Sequence, residues 1–274
     1  VLTKVEVRTR QGNLLSLQLD DISDGYVVQD VQGLDPVKAT LVSSGFAGQD
    51  GEQFHSSRRE SRNIRFQIGF EPMDPEMVSV RDLRNQLYNF FMPKKEITLR
   101  FYMSNGLVVD AVGRVETFES PFFTQEPAVD ISIMCFDPDF YELTTTVVSG
   151  LSTDAVAPTE ITYNGTVETG IRLILDVNRT LSEFTVYHTP PGDGIRSLQF
   201  VAPLVSGDRL TVSTVFGNKG ATLLRGGTET SLLYAISPQS NWIEFTKGVN
   251  SFQVYAVGAG IPASVEYVTR YGAL

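Results

Sequence analysis

The chain has 274 residues and a formal net charge of −10, with 42% hydrophobic and 20% charged residues, the balance of a globular protein rather than a disordered one. This is enough chain for two domains that each bury a core. The acidity argues against static nucleic-acid binding, and the single cysteine, Cys135, excludes an intramolecular disulfide and a thiolate zinc cluster. No apolar run approaches the roughly 20 residues of a membrane span, and no charged and apolar leader pattern opens the chain.

In chain order, residues 1–19 alternate twice around Gln11-Gly12-Asn13 and predict a hairpin. Strands follow at 26–31 and 37–42, and then a polar stretch from Ser43 to Arg62 reads as a long functional loop. Residues 63–70 are again a strand. Asp74-Pro75 is an N-cap with a first-turn proline, and Val80, Leu83, Leu87, Phe90 and Phe91 recur at helical spacing, which predicts one helix over 75–92. Arg81, Asp82, Arg84, Asn85 and Asn89 fall on its polar side. Two alternating runs, 97–103 and 107–115, flank Ser104-Asn105-Gly106, and Asn-Gly between such runs is a strong hairpin signal. Residues 121–125 bend the chain, 128–136 form a last strand, and Asp137-Pro138-Asp139 closes the first half.

Composition then shifts to Thr, Ser, Val and Ala over 142–158, which reads as a strand-like linker. The domains expected are thus 1–141 and 159–274, joined by 142–158. The second holds short strands at 161–163, 171–177, 184–187, 197–201, 209–214, 222–224, 242–245, 251–256 and 263–269, separated by Gly, Pro and Asn turns. The fold class is mainly β: a β-sandwich with one helix and hairpins, then a jelly-roll β-sandwich.

No catalytic cluster is visible. The two histidines, His55 and His188, lie in different halves and neither accompanies a nucleophile motif, so both read as ordinary polar residues. Asp20-Asp21 and Asp137/Asp139 are turn carboxylates rather than a converging metal or glycosidase pair. No cofactor, metal or catalytic residue is expected. Trp242 and Tyr187 are candidates for stacking on sugar, although a core tryptophan is the plainer reading. The most conspicuous cluster is Arg58, Arg59, Arg62 and Arg65, four arginines in an acidic chain, which suits either ion pairing across a subunit boundary or a solvated basic loop.

Two segments carry a family resemblance. The stretch 46–52 (FAGQDGE), with SSRRESRNI at 56–64 and IMCFDPDFY at 133–141, resembles the sheet-opening and closing motifs of the distal tail proteins of long, non-contractile-tailed bacteriophages. The stretch SPQSNWIEFTKGVNSFQVY at 237–255 is similar to their late strand pair. The resemblance implies a non-enzymatic structural protein whose N-terminal domains close into a homohexameric ring around a DNA channel. It further implies a C-terminal sandwich of galectin or carbohydrate-binding-module type, projecting outward. Its partners would be the tail tube protein, the tip hub and receptor-binding proteins. DNA would pass through without specific binding, and no membrane insertion is implied. The location would be the distal end of the virion tail, after assembly in the host cytoplasm. On this reading Arg58, Arg59, Arg62 and Arg65 pair between subunits, and the Asn105-Gly106 hairpin makes sheet-edge contacts. The alternative is a carbohydrate-binding module that attaches to the host surface, with Trp242 and Tyr187 as its aromatic platforms.

Overall fold

A computed structural model describes residues 1–48, 50–74, 76–121 and 127–274. The chain divides into two compact units, Val1–Leu143 together with Tyr271–Leu274, and Thr144–Arg270. Among the described residues no helix is long and apolar enough to cross a membrane.

The first unit contains β1 (Leu2–Thr9), β2 (Leu14–Gln18), β3 (Tyr26–Gln32), β4 (Ala39–Ser44), β5 (Gln53–Arg59), β6 (Arg62–Phe70), α1 (Val80–Phe91), β7 (Glu96–Met103), β8 (Val108–Glu119), β9 (Ala128–Cys135) and the start of β10 (Phe140–Ser152). Its main sheet is antiparallel in the order β2–β1–β7–β8–β9–β6–β3. A register shift between Val115 and Thr117 bulges β8 against β9, so that Val115 pairs with Ile133 and Thr117 with Ser132. Strict alternation puts Val5, Val7, Leu99, Phe101, Ile131 and Ile133 on the buried face.

α1 closes that core with Leu83, Leu87, Phe90 and Phe91. It starts later than the Asp74-Pro75 signal suggests. Ser79 is the N-cap, its hydroxyl accepting from the Asp82 amide while the Asp82 carboxylate accepts from the Ser79 amide. The Asp74 carbonyl accepts from the Met77 and Val78 amides, making a separate turn, and Pro75 itself lies outside the described residues. Arg84, expected on the polar side, is buried. The bend expected over 121–125 falls almost wholly outside the described residues.

The second unit continues β10 and adds β11 (Thr159–Tyr163), β12 (Thr169–Gly170), β13 (Arg172–Asp176), β14 (Leu181–Thr189), β15 (Arg196–Leu204), β16 (Arg209–Ser213), β17 (Gly220–Arg225), β18 (Thr228–Ser231), β19 (Glu244–Phe245), β20 (Gly248–Tyr255) and β21 (Pro262–Tyr271). One sheet runs β18–β17–β16–β13–β21–β10, and a second runs β11–β20–β14–β15. Their inner faces share one core, in which Phe245 meets Phe252 and Tyr267 edge-on at 5.8 and 5.3 Å. The stretch expected to be a linker is strand through Ser152, and the last four residues belong to the first unit.

Candidate assembly surface: an exposed arm and its arginine root

The stretch 43–62, expected as a polar loop, instead holds the end of β4 and all of β5, and these two strands pair as a ribbon. Leu41 pairs with Ser57, Val42 with Ser56, and a bulge follows before Ser43 meets Phe54. Nearly every residue of both strands is exposed, and so are the large apolar side chains Leu41 (66%), Phe46 (61%) and Phe54 (61%). Leu41 and Val42 are neighbours on β4 and so point to opposite faces, both exposed, so neither face is a simple solvent face. A two-stranded ribbon without a covering layer has little stability of its own. It has to be held at its root.

The root is built from two arginines. Arg59 makes a two-pronged ion pair with the fully buried Asp139 carboxylate, including a 3.0 Å contact to Oδ2. Arg62 is 1% exposed. Its Nε donates to the Pro138 carbonyl at 2.7 Å, Nη1 to the carbonyls of Asp35 (2.7 Å) and Gly33, and Nη2 to Gly272 at 2.6 Å. The guanidinium also lies over the Phe140 ring, 4.3 Å from its centre. Burial pulls the Arg62 pKa down, while Cys135, Asp139 and Asp35 act in the other direction. One side chain thus joins the arm root (33–35), the 137–139 turn and the C-terminal strap (271–274). The strap adds Tyr271 and Leu274 to the apolar core, and the Leu274 amide donates to the Leu34 carbonyl at 3.1 Å.

Gly33 permits this approach. Its φ is +86°, and a Cβ there would stand 2.0 Å from the Asn63 carbonyl oxygen. Only glycine fits.

Of the four arginines singled out in the sequence, the structure therefore engages Arg59 and Arg62 within the chain. A guanidinium that is 1% exposed and bound to four carbonyls has no reach to a neighbouring subunit. Arg58 is exposed on the arm. Arg65 is exposed on the outer face of the sheet, beside Asp30, Glu116, Glu119 and Asp130, in a cleft of about 450 Å³. Asn105 and Gly106 form an exposed turn in which the Asn105 side chain accepts from the Leu107 amide at 3.1 Å.

The two sugar-stacking candidates fare differently. Trp242 is half-buried and packs on the core of the second unit, with the Lys219 ammonium 5.6 Å from the centre of its ring. Tyr187 is 40% exposed on the open face of β14. Tyr255, which the sequence reading passed over, stands diagonally beside it at 46% exposure, since Tyr187 pairs with Gln253 and Thr185 with Tyr255. Period-two counting along β14 and β20 finds that pair. Cys135 is buried, and burial pushes its thiol up to about 11. Among the described residues no group of three or more His, Cys, Asp or Glu is placed to hold a metal ion.

Comparison with known proteins locates this architecture. The family described as a phage tail protein RIFT-related domain matches residues 20–127, and the siphovirus-type tail component, C-terminal domain, matches residues 164–271. Among solved structures the chain is similar to the crystal structure of SPP1 Dit (gp 19.1), described as a paradigm of hub adsorption apparatus in Gram-positive-infecting phages. That likeness has a TM-score of 0.67 and covers 97% of this chain and 98% of that one at 17% identity, a likeness of fold. A chain of the phage P2 baseplate in its activated conformation with Ca aligns over 100% of both chains, at 12% identity and a TM-score of 0.47. No curated protein sequence matches. Two tail-protein families in order along the chain, on a fold shared from end to end with SPP1 Dit, show that this protein belongs to the distal tail protein family of siphovirus-type phage tails.

Proposed function

We propose that six copies of this chain close into a ring with a central DNA channel, joining the tail tube to the tip hub and offering the second unit as a docking point for receptor-binding proteins. The observation that carries this reading is the end-to-end fold likeness to SPP1 Dit, itself described as a paradigm of hub adsorption apparatus. The arm supports it physically. A ribbon that exposes Leu41, Val42, Phe46 and Phe54 from a rigid root is suited to burial against a neighbouring copy, as closed rings require. Arg58 on the arm, Arg65 and the Asn105-Gly106 turn are the further contact points in this reading. The charge of −10 suits a lumen through which a polyanion slides without adhering. Assembly takes place in the host cytoplasm, and the function needs no catalysis.

Replacing Leu41, Phe46 and Phe54 together with serine tests the arm. These side chains are exposed, so the thermal midpoint should move little, by the roughly 0.5 kcal/mol per site typical of surface changes. The assembled species on a sizing column should be lost. Retention of the full assembly by the triple variant would remove the arm from the interface.

One observation favours a second reading, a carbohydrate-binding role for a galectin-like second unit. Tyr187 and Tyr255 are adjacent and exposed on a sheet face whose other outward side chains include Ser197, Gln199, Ser251 and Gln253. Calorimetric titration with cell-wall oligosaccharides, repeated on Tyr187→Ala/Tyr255→Ala, separates this reading from a purely structural one.

A further inference from the structure

His188 lies at the centre of the second unit, fully buried, between Arg196 of β15 and Phe252 of β20 in the strand register. Its ring is 5.6 Å from that of Phe245. Nε2 meets the Asn250 side-chain oxygen at 3.0 Å. That oxygen also accepts from the Thr246 amide at 3.1 Å, while the Asn250 side-chain nitrogen donates to the carbonyls of Thr246 (2.8 Å), Gly248 (3.1 Å) and Ile161 (3.5 Å). With three carbonyls around the nitrogen, the Asn250 orientation is settled, its oxygen is an acceptor, and Nε2 must carry the imidazole proton. Nδ1 is then a bare acceptor, and it has no hydrogen-bond partner.

We propose that His188 and Asn250 form an acid-released tether in the second unit: a proton taken up from solvent at Nδ1 creates a cation that the closed core cannot hold, so falling pH favours an open form in which His188 reaches water and the turn at 246–248 and the neighbouring edge strand β11 come free. The imidazolium would need an acceptor at Nδ1. The groups packed on it supply none. β19 brings Phe245, β20 brings Phe252 and Asn250, and β15 brings Arg196, a cation already paired with Asp193 at 2.7 Å. A buried cation without an acceptor is strongly unfavourable, so protonation and the closed core are mutually exclusive. Consistent with this, burial holds the His188 pKa below the ordinary 6.5, with Arg196 acting in the same direction and the Asn250 contact in the opposite one.

The sign follows from linkage. A group whose pKa is lowered on folding, and which is neutral when deprotonated, leaves stability intact above pH 6.5. It takes stability away as pH falls below that value, by up to tenfold in the opening constant per pH unit for one proton. The Asp208–Arg225 pair in the same unit does not confuse this window, because the Arg225 hydrogen bonds hold the Asp208 carboxyl below the usual carboxylate range.

The test uses the whole chain. Imidazole proton NMR from pH 8 to 5 gives two signals, from His55 and His188, assigned with His55→Gln. The His188 signal should titrate below 6.5, and hydrogen-exchange protection at Thr246, Asn250 and Ile161 should fall in step, up to tenfold per pH unit, while the first unit keeps its protection. His188→Gln, which can still donate to Asn250, should abolish that pH dependence. Titration of His188 at or above 6.5, or protection at those amides that ignores pH between 7 and 5, overturns the tether. Should His188→Gln fail to fold, the wild-type titration and exchange profiles still decide between these results.

Discussion

Arg62→Met should destabilise the protein by about 3–5 kcal/mol, the range for removing one partner of a buried, fully engaged charged group. Methionine fills much of the same space but leaves the carbonyls of Gly33, Asp35, Pro138 and Gly272 without their donor. Urea unfolding would show this as a lower midpoint, and exchange of the Leu274 amide would accelerate as the strap loosens. Lysine should rescue little. An ammonium is a compact point charge with three donors and cannot span carbonyls arranged around a planar fork. A loss below about 1 kcal/mol for Arg62→Met would mean that those carbonyls are readily hydrated and that the root is not a closed structure.

The second large effect is expected at Gly33. Ala at this position meets two obstacles, a left-handed backbone at φ +86° and a Cβ placed 2.0 Å from the Asn63 carbonyl oxygen, with Ile64 Cα at 3.1 Å. Asn63 and Ile64 cannot step aside without breaking the pairing of β6 with β9, so a cost of about 3 kcal/mol or more is expected. Gly106→Ala is the control. It has the same φ of +86° but nothing within 4 Å of the added carbon, so it should carry only the conformational cost of about 1–2 kcal/mol. Comparing the two variants by denaturant midpoint separates backbone preference from close approach. Equal losses would show that the contact at the arm root does not matter.

Much of the architecture could be read from residue pattern. The alternating runs of β1, β6, β7, β8 and β9 are half-buried strands, which is the situation period-two counting describes. The helix stripe of Leu83, Leu87, Phe90 and Phe91 was equally legible, and the Asn105-Gly106 turn is where the signal puts it. The helix start was misread because Asp74-Pro75 and Ser79-x-x-Asp82 are competing caps five residues apart, and the second makes both reciprocal bonds. Only the first strand of the arm was foreseen, as the strand at 37–42, and β5 was not. Both faces of the arm are exposed, so Phe46 and Phe54 appear without any periodicity that would mark a strand. Strand signals come from burial on one side, and the arm has no such side within its own chain.

The buried positions of Arg62 and His188 could not be read from the sequence, for a common physical reason. Charged and polar residues are usually at the surface, and nothing local in SSRRESRNI says that the third arginine points inward. Its acceptors come from Gly33, Asp35, Pro138 and Gly272, brought together only by folding, the last of them 210 positions away. Likewise His188 meets Asn250 only through the β14–β20 pairing. The family motifs carried what local pattern could not. The 56–64 and 133–141 stretches flank the β6–β9 pairing and supply Arg59 and Asp139, the two halves of the ion pair at the arm root.

The most direct test of the ring is the mass of the assembled protein in solution, by light scattering on a sizing column. Six chains of 30.2 kDa correspond to about 181 kDa, and the account predicts that species for the wild type and its loss in the Leu41/Phe46/Phe54 serine variant. A wild-type protein that stays at 30.2 kDa at every concentration, including in the presence of tail tube and hub proteins, would contradict it.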